Sequence, residues 1–157
     1  MEPEFVYVTY IATTPEQLWA ALTSPESTLQ YWGVELDSTW QQGSTVTWTL
    51  GDWTGADPEQ TVLVADEPRS LSYTWHTITP EFGASVGGSD EEISAMAAEP
   101  RSVVSFDLEP VGDAVKLTVT QSGFGENSTI LEGITQGWPM ILSSLKTLLE
   151  TGKPLAL

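Results

Sequence analysis

Cysteine is absent from the 157 residues, histidine occurs once, and lysine and arginine together number five. The first absence removes disulfides, thiolate metal sites and thiol nucleophiles. The second leaves a transition-metal site to be built mainly from carboxylates, a poor donor set for zinc, so neither a metal nor a cofactor is expected. The cations Arg69, Arg101, Lys116, Lys146 and Lys153 stand against 22 acidic residues, for a net charge of -17. Such scattered positive charge cannot hold phosphates, which sets the chain against nucleic acid and anionic membranes as partners. No apolar run approaches the roughly 20 residues of a membrane span, and the opening MEPEFVYVTY is acidic where a secretory signal is basic. A soluble, cytoplasmic protein is the expectation. The acidic surface reads first as a device for solubility through self-repulsion, with a protein partner docking on it as the other use.

What the chain does have is patterned apolar residues, and length enough for one domain with its own core over residues 1–157. Glu4 to Ala12 is rich in Val, Tyr, Phe and Thr and reads as a strand, although both parities are apolar and the inner face stays open. TTPEQLWAALTSPE reads as a short helix with Thr14 as N-cap, Pro15 at its first position and Gln17 at the capping-box position. PESTLQYWG reads as a second one, closed by Gly33. The period then changes to two. Val46, Trp48 and Leu50 share one face, as do Leu71, Tyr73 and Trp75, then Val104, Phe106 and Leu108, then Val115, Leu117 and Val119, the pattern of half-buried antiparallel strands. Val34–Trp40 and Gln60–Ala65 are further strand candidates, with turns at Gln42-Gly43, Glu67-Pro68 and Val111-Gly112-Asp113. From about Ser128 to Thr151, Ile130, Ile134, Trp138, Ile141, Leu145, Leu148 and Leu149 recur at three- and four-residue spacing, the apolar stripe of a long helix that Gly152 and Pro154 stop.

Two features interrupt this regularity. TPEFGASVGGSDEEISAMAAEP, Thr79 to Pro100, joins two strands that a short turn could join, and insertions of this length are either functional or loose surface segments. Ser89 and Glu92 form a capping box inside it, so a short helix is expected there; a lid over a pocket and surface decoration both remain open. The second is Gly137-Trp138-Pro139 within the long helix, where proline forfeits the bond to the carbonyl of Thr135 and a bend is expected.

A twisted antiparallel sheet with one apolar face and a single long helix to cover it leaves space between the two, and apolar concavities of this kind are where small ligands bind. TPEQLWAALTSPESTLQYWG (Thr14–Gly33) and QGWPMILSSLKTLLETG (Gln136–Gly152) also carry a family resemblance. The chain resembles the START-like (SRPBCC) superfamily and, within it, the activator of heat-shock protein 90 ATPase homologue-like group. That group's first segment typically has an N-cap and proline, a Leu/Val-Trp-x-Ala-Leu helix, Pro and a Trp-Gly pair; its second typically has Gly-Trp followed by Leu-x-x-Leu. The resemblance implies an α+β helix-grip fold, a curved antiparallel sheet of about six or seven strands wrapped on one long C-terminal helix, with two short helices after the first strand. It also implies a single START-like domain over 1–157 with an insertion at about 79–100; the eukaryotic activators of the group pair such a domain with a separate N-terminal chaperone-binding domain, and here the sequence departs from them, since 157 residues leave no room for one.

Catalysis finds little to work with. His76 has the opposite parity to Leu71, Tyr73 and Trp75 and is expected at the surface, which leaves the serines and threonines without a base. Lys116 alternates with Val115 and Leu117 and should face solvent, so no desolvated lysine is at hand for Schiff-base chemistry. The SDEE run reads as a helix cap and lacks the pattern of a dedicated calcium loop. What remains is an inward aromatic set: Trp32, Trp48, Tyr73, Trp75, Phe106, Phe124 and Trp138, with Gln121 continuing the inward parity of its strand as the candidate polar group. Trp138 reads either as core or as a pocket wall. The expectation is a binding protein for a small hydrophobic or aromatic molecule. A cyclase- or dehydratase-like enzyme using Tyr73 or an inward carboxylate is one alternative, and a chaperone-related interaction module is the other.

Overall fold

The computed structural model describes residues 3–75 and 89–155. These form β1 (Phe5–Ile11), α1 (Pro15–Thr23), α2 (Pro25–Trp32), β2 (Glu35–Asp37), β3 (Thr45–Leu50), β4 (Trp53–Asp66), β5 (Ser70–Thr74), α3 (Asp90–Ala97), β6 (Val103–Val111), β7 (Ala114–Ser122) and α4 (Thr129–Thr151). The strands make one antiparallel sheet in the order β1-β7-β6-β5-β4-β3-β2. The architecture is the helix-grip fold, with the curled sheet on the long helix and two short helices after the first strand. None of the described helices is long and apolar enough to cross a membrane.

Local chemistry explains where the helices start and stop. Thr14 Oγ1 accepts from the Gln17 amide at 3.2 Å, but Gln17 turns its own side chain to the Thr13 hydroxyl at 3.0 Å, so the capping box is half made. Gly33 closes α2 at φ 82°, its N–H donating to the Leu29 carbonyl. Ser89 caps α3, accepting from the Glu92 amide at 3.2 Å and donating to its carboxylate at 3.1 Å. The inner face of β1 is its odd parity: Phe5 and Ile11 are buried while Val6, Val8 and Tyr10 are exposed. Register decides it, since Phe5 and Ile11 lie opposite the buried Gln121 and Val115 of β7.

Two strands differ from expectation. β2 stops at Asp37, because Trp40 adopts φ 53°, a left-handed conformation that ends extended chain. β4 begins at Trp53, well before Gln60. Its middle contains Gly55, Asp57 and Pro58, all poor strand formers. Gly55 is there for space: a Cβ on it would lie 2.4 Å from the Trp53 ring. The long helix is a single 23-residue element with Pro139 inside it, as its apolar stripe demands. Thr135, whose carbonyl loses its partner to proline, lies on the exposed side, where water replaces the missing amide.

Three anchors fix α4 over the sheet. In the middle, the Trp138 indole Nε1 donates to Gln121 Oε1 at 2.9 Å, and Gln121 Nε2 donates to Ser102 Oγ at 2.9 Å, all buried. At the N-terminus, Glu99 accepts from the amides of Thr129 and Ile130 at 3.1 and 3.2 Å and from the hydroxyl of the N-cap Ser128. That carboxylate ties the end of the insertion to the positive end of the helix. At the C-terminus, Lys146 Nζ donates to the Tyr10 carbonyl at 2.7 Å and to Glu150 at 2.6 Å, while Glu150 accepts from the Ala12 amide at 2.8 Å. These side chains cover the free edge of β1, which would otherwise offer unpaired backbone groups.

Both ends of the helix give measurable predictions. The Ala12 amide, and then Lys146, hold the Glu150 carboxyl below the ordinary 4.5. A lowered carboxyl contributes stability that is present above its ordinary value and is lost as pH falls through the folded-state value. Glu150→Ala should therefore melt about 1–3 °C below the parent at pH 7, with the gap narrowing as the pH falls below the ordinary 4.5; a gap independent of pH would assign the loss to the packing of the stem. Glu99→Ala should lower the melting temperature by about 2–4 °C. Glu99→Gln, whose amide oxygen still accepts, should recover part of that loss in calorimetry.

Candidate ligand cavity

Between the first half of α4 and the sheet lies a cavity of about 260 Å³. Its floor and far wall are aromatic: Trp32 at the end of α2, Trp48 on β3, Trp75 after β5 and Trp138 on α4, with Val34 and Leu50 filling in. Its near wall is one face of α4, where Thr129, Gly133 and Gly137 follow at four-residue spacing beside Ile130, Ile134 and Ile141. Met96 of α3 completes it.

The space follows from shape. Trp32 meets Trp48 and Trp138 with ring centroids 5.2 Å apart, Trp48 meets Trp75 at 5.2 Å, and Trp75 meets Trp138 at 5.9 Å, with interplanar angles between 50° and 82°, while Trp32 and Trp75 stack at 6.3 Å and 22°. Tilted and edge-to-face contacts suit the ring quadrupoles, but four rings propping each other up do not fill a flat gap. On the opposite wall a Cβ built at Gly133 or Gly137 meets nothing within 4 Å. Gly133 is exposed and Ile134 and Gly137 are half-buried, so the cavity opens along this part of α4.

The expected site residues divide into three groups. Trp32, Trp48, Trp75 and Trp138 line the cavity. Tyr73 and Phe106 are buried outside the lining, Tyr73 against Phe106 at 5.9 Å and Phe106 edge-on to Trp138 at 5.8 Å. Phe124 is buried but lies outside both the lining and the main core cluster. Gln121 is fully buried with an amide contact at each end, so it orients Trp138 and does not itself line the cavity. His76 and the 79–88 part of the insertion lie outside the described residues. Sequence reasoning passed over the glycines, Met96 and Thr129. Two glycines four apart on an otherwise apolar helix were the available signal, since such a face cannot fill the space beside it.

The described lining carries no titratable side chain. Burial, and then the neighbouring Tyr31, push the Tyr73 phenol well above its ordinary 10.0; burial does the same to Tyr31. Both phenols are neutral at physiological pH. No carboxylate is buried among the described residues, and no group of three or more His, Cys, Asp or Glu among them could hold a metal ion.

With this geometry the relatives can be placed. The family model described as activator of Hsp90 ATPase homolog 1-like protein matches residues 12–150. No curated protein matches in sequence. Among solved structures, a Mesorhizobium loti protein is similar at 28% identity and TM-score 0.72, over 94% of this chain and 96% of that one. A Cytophaga hutchinsonii protein is similar at 25% identity and TM-score 0.67, over 95% and 94%. The Aha1 dimer of Colwellia psychrerythraea shares the fold at 20% identity and TM-score 0.72, over 96% and 98%. A family match over nearly the whole length, on a helix-grip architecture, gives the assignment: the chain belongs to the activator of Hsp90 ATPase homolog 1-like family of the START-like superfamily.

Proposed function

We propose that the chain binds a small hydrophobic or aromatic molecule in the cavity between the sheet and α4. The observation that carries this reading is the cavity itself: about 260 Å³ walled by four indoles and one glycine-bearing helix face. That volume is near the lower end of ligand sites, roughly 300–1,000 Å³, and suits a body of two or three fused rings. A wider cleft of about 580 Å³ between α1 and the β2–β3 loop mixes Trp19 and Trp40 with Gln41, Gln42 and Glu67, and does not offer the same continuous apolar wall. The lack of a titratable group in the described lining favours holding a ligand over transferring protons to it. The family description names an activator of a chaperone ATPase, so docking of a protein on the acidic surface is the alternative reading.

Tryptophan fluorescence and thermal shift against neutral aromatic compounds test the reading, because four of the seven tryptophans line the cavity. A ligand at one hundred times its Kd should raise the melting temperature by about 5–10 °C. Gly137→Leu places a side chain in the open space and replaces a helical glycine. It should leave the fold as stable or up to about 1 kcal/mol more stable while abolishing the fluorescence response. Unchanged binding by a folded Gly137→Leu protein would exclude this cavity, and silence of the parent against all such compounds would turn the reading toward a protein partner.

A further inference from the structure

We propose, resting on the reading above, that the cavity discriminates by charge: it takes uncharged ring compounds and refuses carboxylates and other anions of the same shape. An anion entering an apolar space needs a cation, a helix N-terminus or a set of free donors, since an unpaired charge loses its hydration without return. Among the described residues no cation lines the cavity and the helix N-terminus at its edge is already engaged.

All five lysines and arginines can be located. Arg69 pairs with Asp66 at 3.2 Å, and Lys146 serves Tyr10 and Glu150. Lys116 sits on β7 opposite Tyr10 and Glu109, and Lys153 is exposed beyond α4. Arg101 alone among them contacts a lining residue, and it donates to the Trp75 carbonyl at 2.6 Å while pairing with Glu59 at 3.3 Å. None of the five lines the cavity. The segment 76–88 contains no lysine or arginine. The start of α4 lies at the cavity's edge, where Thr129 and Ile130 are lining residues. A bare helix N-terminus there would attract an anion, but Glu99 occupies the amides of both residues and Ser128 occupies that of Leu131. The protein's own carboxylate already fills that position.

An anion left at the mouth fares no better. Glu132 is adjacent to the exposed Gly133, the first turn of α3 carries Asp90, Glu91 and Glu92, and the chain as a whole carries -17. That field is strongest at low salt, where the screening length is about 30 Å at 0.01 M against about 10 Å at 0.1 M.

The test compares 2-naphthamide with 2-naphthoate, the same ring and nearly the same outline with and without charge, by fluorescence titration of the full chain. At pH 8 the naphthoate is ionised. The amide should bind, and the carboxylate should bind at least about tenfold more weakly at 10 mM salt, with the gap narrowing at 0.5 M. Ile134→Lys, which puts a cation on the half-buried lining, should shift the ratio of naphthoate to naphthamide affinity at least about tenfold toward naphthoate; its melting curve shows that it is folded. Equal affinity for the two probes, or a folded Ile134→Lys protein that still refuses naphthoate, overturns the charge discrimination and leaves the pocket standing. Silence toward both probes and toward the larger neutral 9-anthracenemethanol overturns the pocket reading, and the charge discrimination falls with it.

Discussion

The hydrogen bond from the Trp138 indole to Gln121 carries more of this architecture than its single contact suggests. It crosses from helix to sheet at full burial, and Gln121 passes it on to Ser102. A buried donor or acceptor left unmade costs about 1–3 kcal/mol, so rotating or sliding α4 would strand polar atoms on both layers. The end anchors, Glu99 at one side and Lys146 with Glu150 at the other, then need only hold the helix ends. With that rotation set, Leu142 and Leu145 face the core, while Thr129, Gly133 and Gly137 line the cavity.

That placement keeps the cavity open at a cost to packing. At roughly 24 cal/mol per Å³ of residual cavity, a void of about 260 Å³ corresponds to about 6 kcal/mol, an upper bound because its mouth is open. Net stabilities are only about 5–15 kcal/mol, so the space is a large item in the balance. A larger residue at Gly133 or Gly137 would occupy part of it, and helix propensity would favour the change as well. Stability alone gives no reason for two helical glycines facing an aromatic wall, whereas a guest that completes the packing does.

The strand alternation of β3, β6 and β7 was legible because each has one buried parity, on which Trp48, Phe106 and Val119 stand as the period demands; in β5 Ser72 is buried as well, and the alternation is one of apolar type, with Leu71 and Tyr73 on the core side. Helix ends were legible for the same local reason: Thr14, Ser89 and Ser128 cap, and Gly33 and Gly152 turn left-handed. β1 was ambiguous because its solvent face is apolar too, and only the register against β7 separates Phe5 from Val6. The first half of β4 was hidden because Gly55 answers to the ring of Trp53 and not to strand propensity. In the cavity, parity placed large rings on the concave face, but parity cannot rank depth. Tyr73 and Phe106 lie behind Trp138 although they share its side of the sheet. Nor could it show that Gln121 would spend its amide on Trp138 and Ser102, since that depends on a helix arriving from far along the chain.

The way polar groups are committed is what favours the proposed holding of a ligand over its transformation. Sites that stabilise developing charge keep donors aimed at where the reacting atom will sit, prepared before the substrate arrives. Around this cavity several of the strongest polar groups are aimed at the protein. Gln121 serves Trp138, Glu99 serves the amides of α4, and Arg101 serves the Trp75 carbonyl and Glu59. The buried phenols of Tyr31 and Tyr73 are pushed away from any proton transfer near neutral pH. Such commitments stiffen the walls, and stiff apolar walls suit the proposed recognition by ring shape and by the absence of charge. Recognition of that kind needs tryptophans held in fixed mutual orientation, and this is what α2, β3, β5 and α4 together supply.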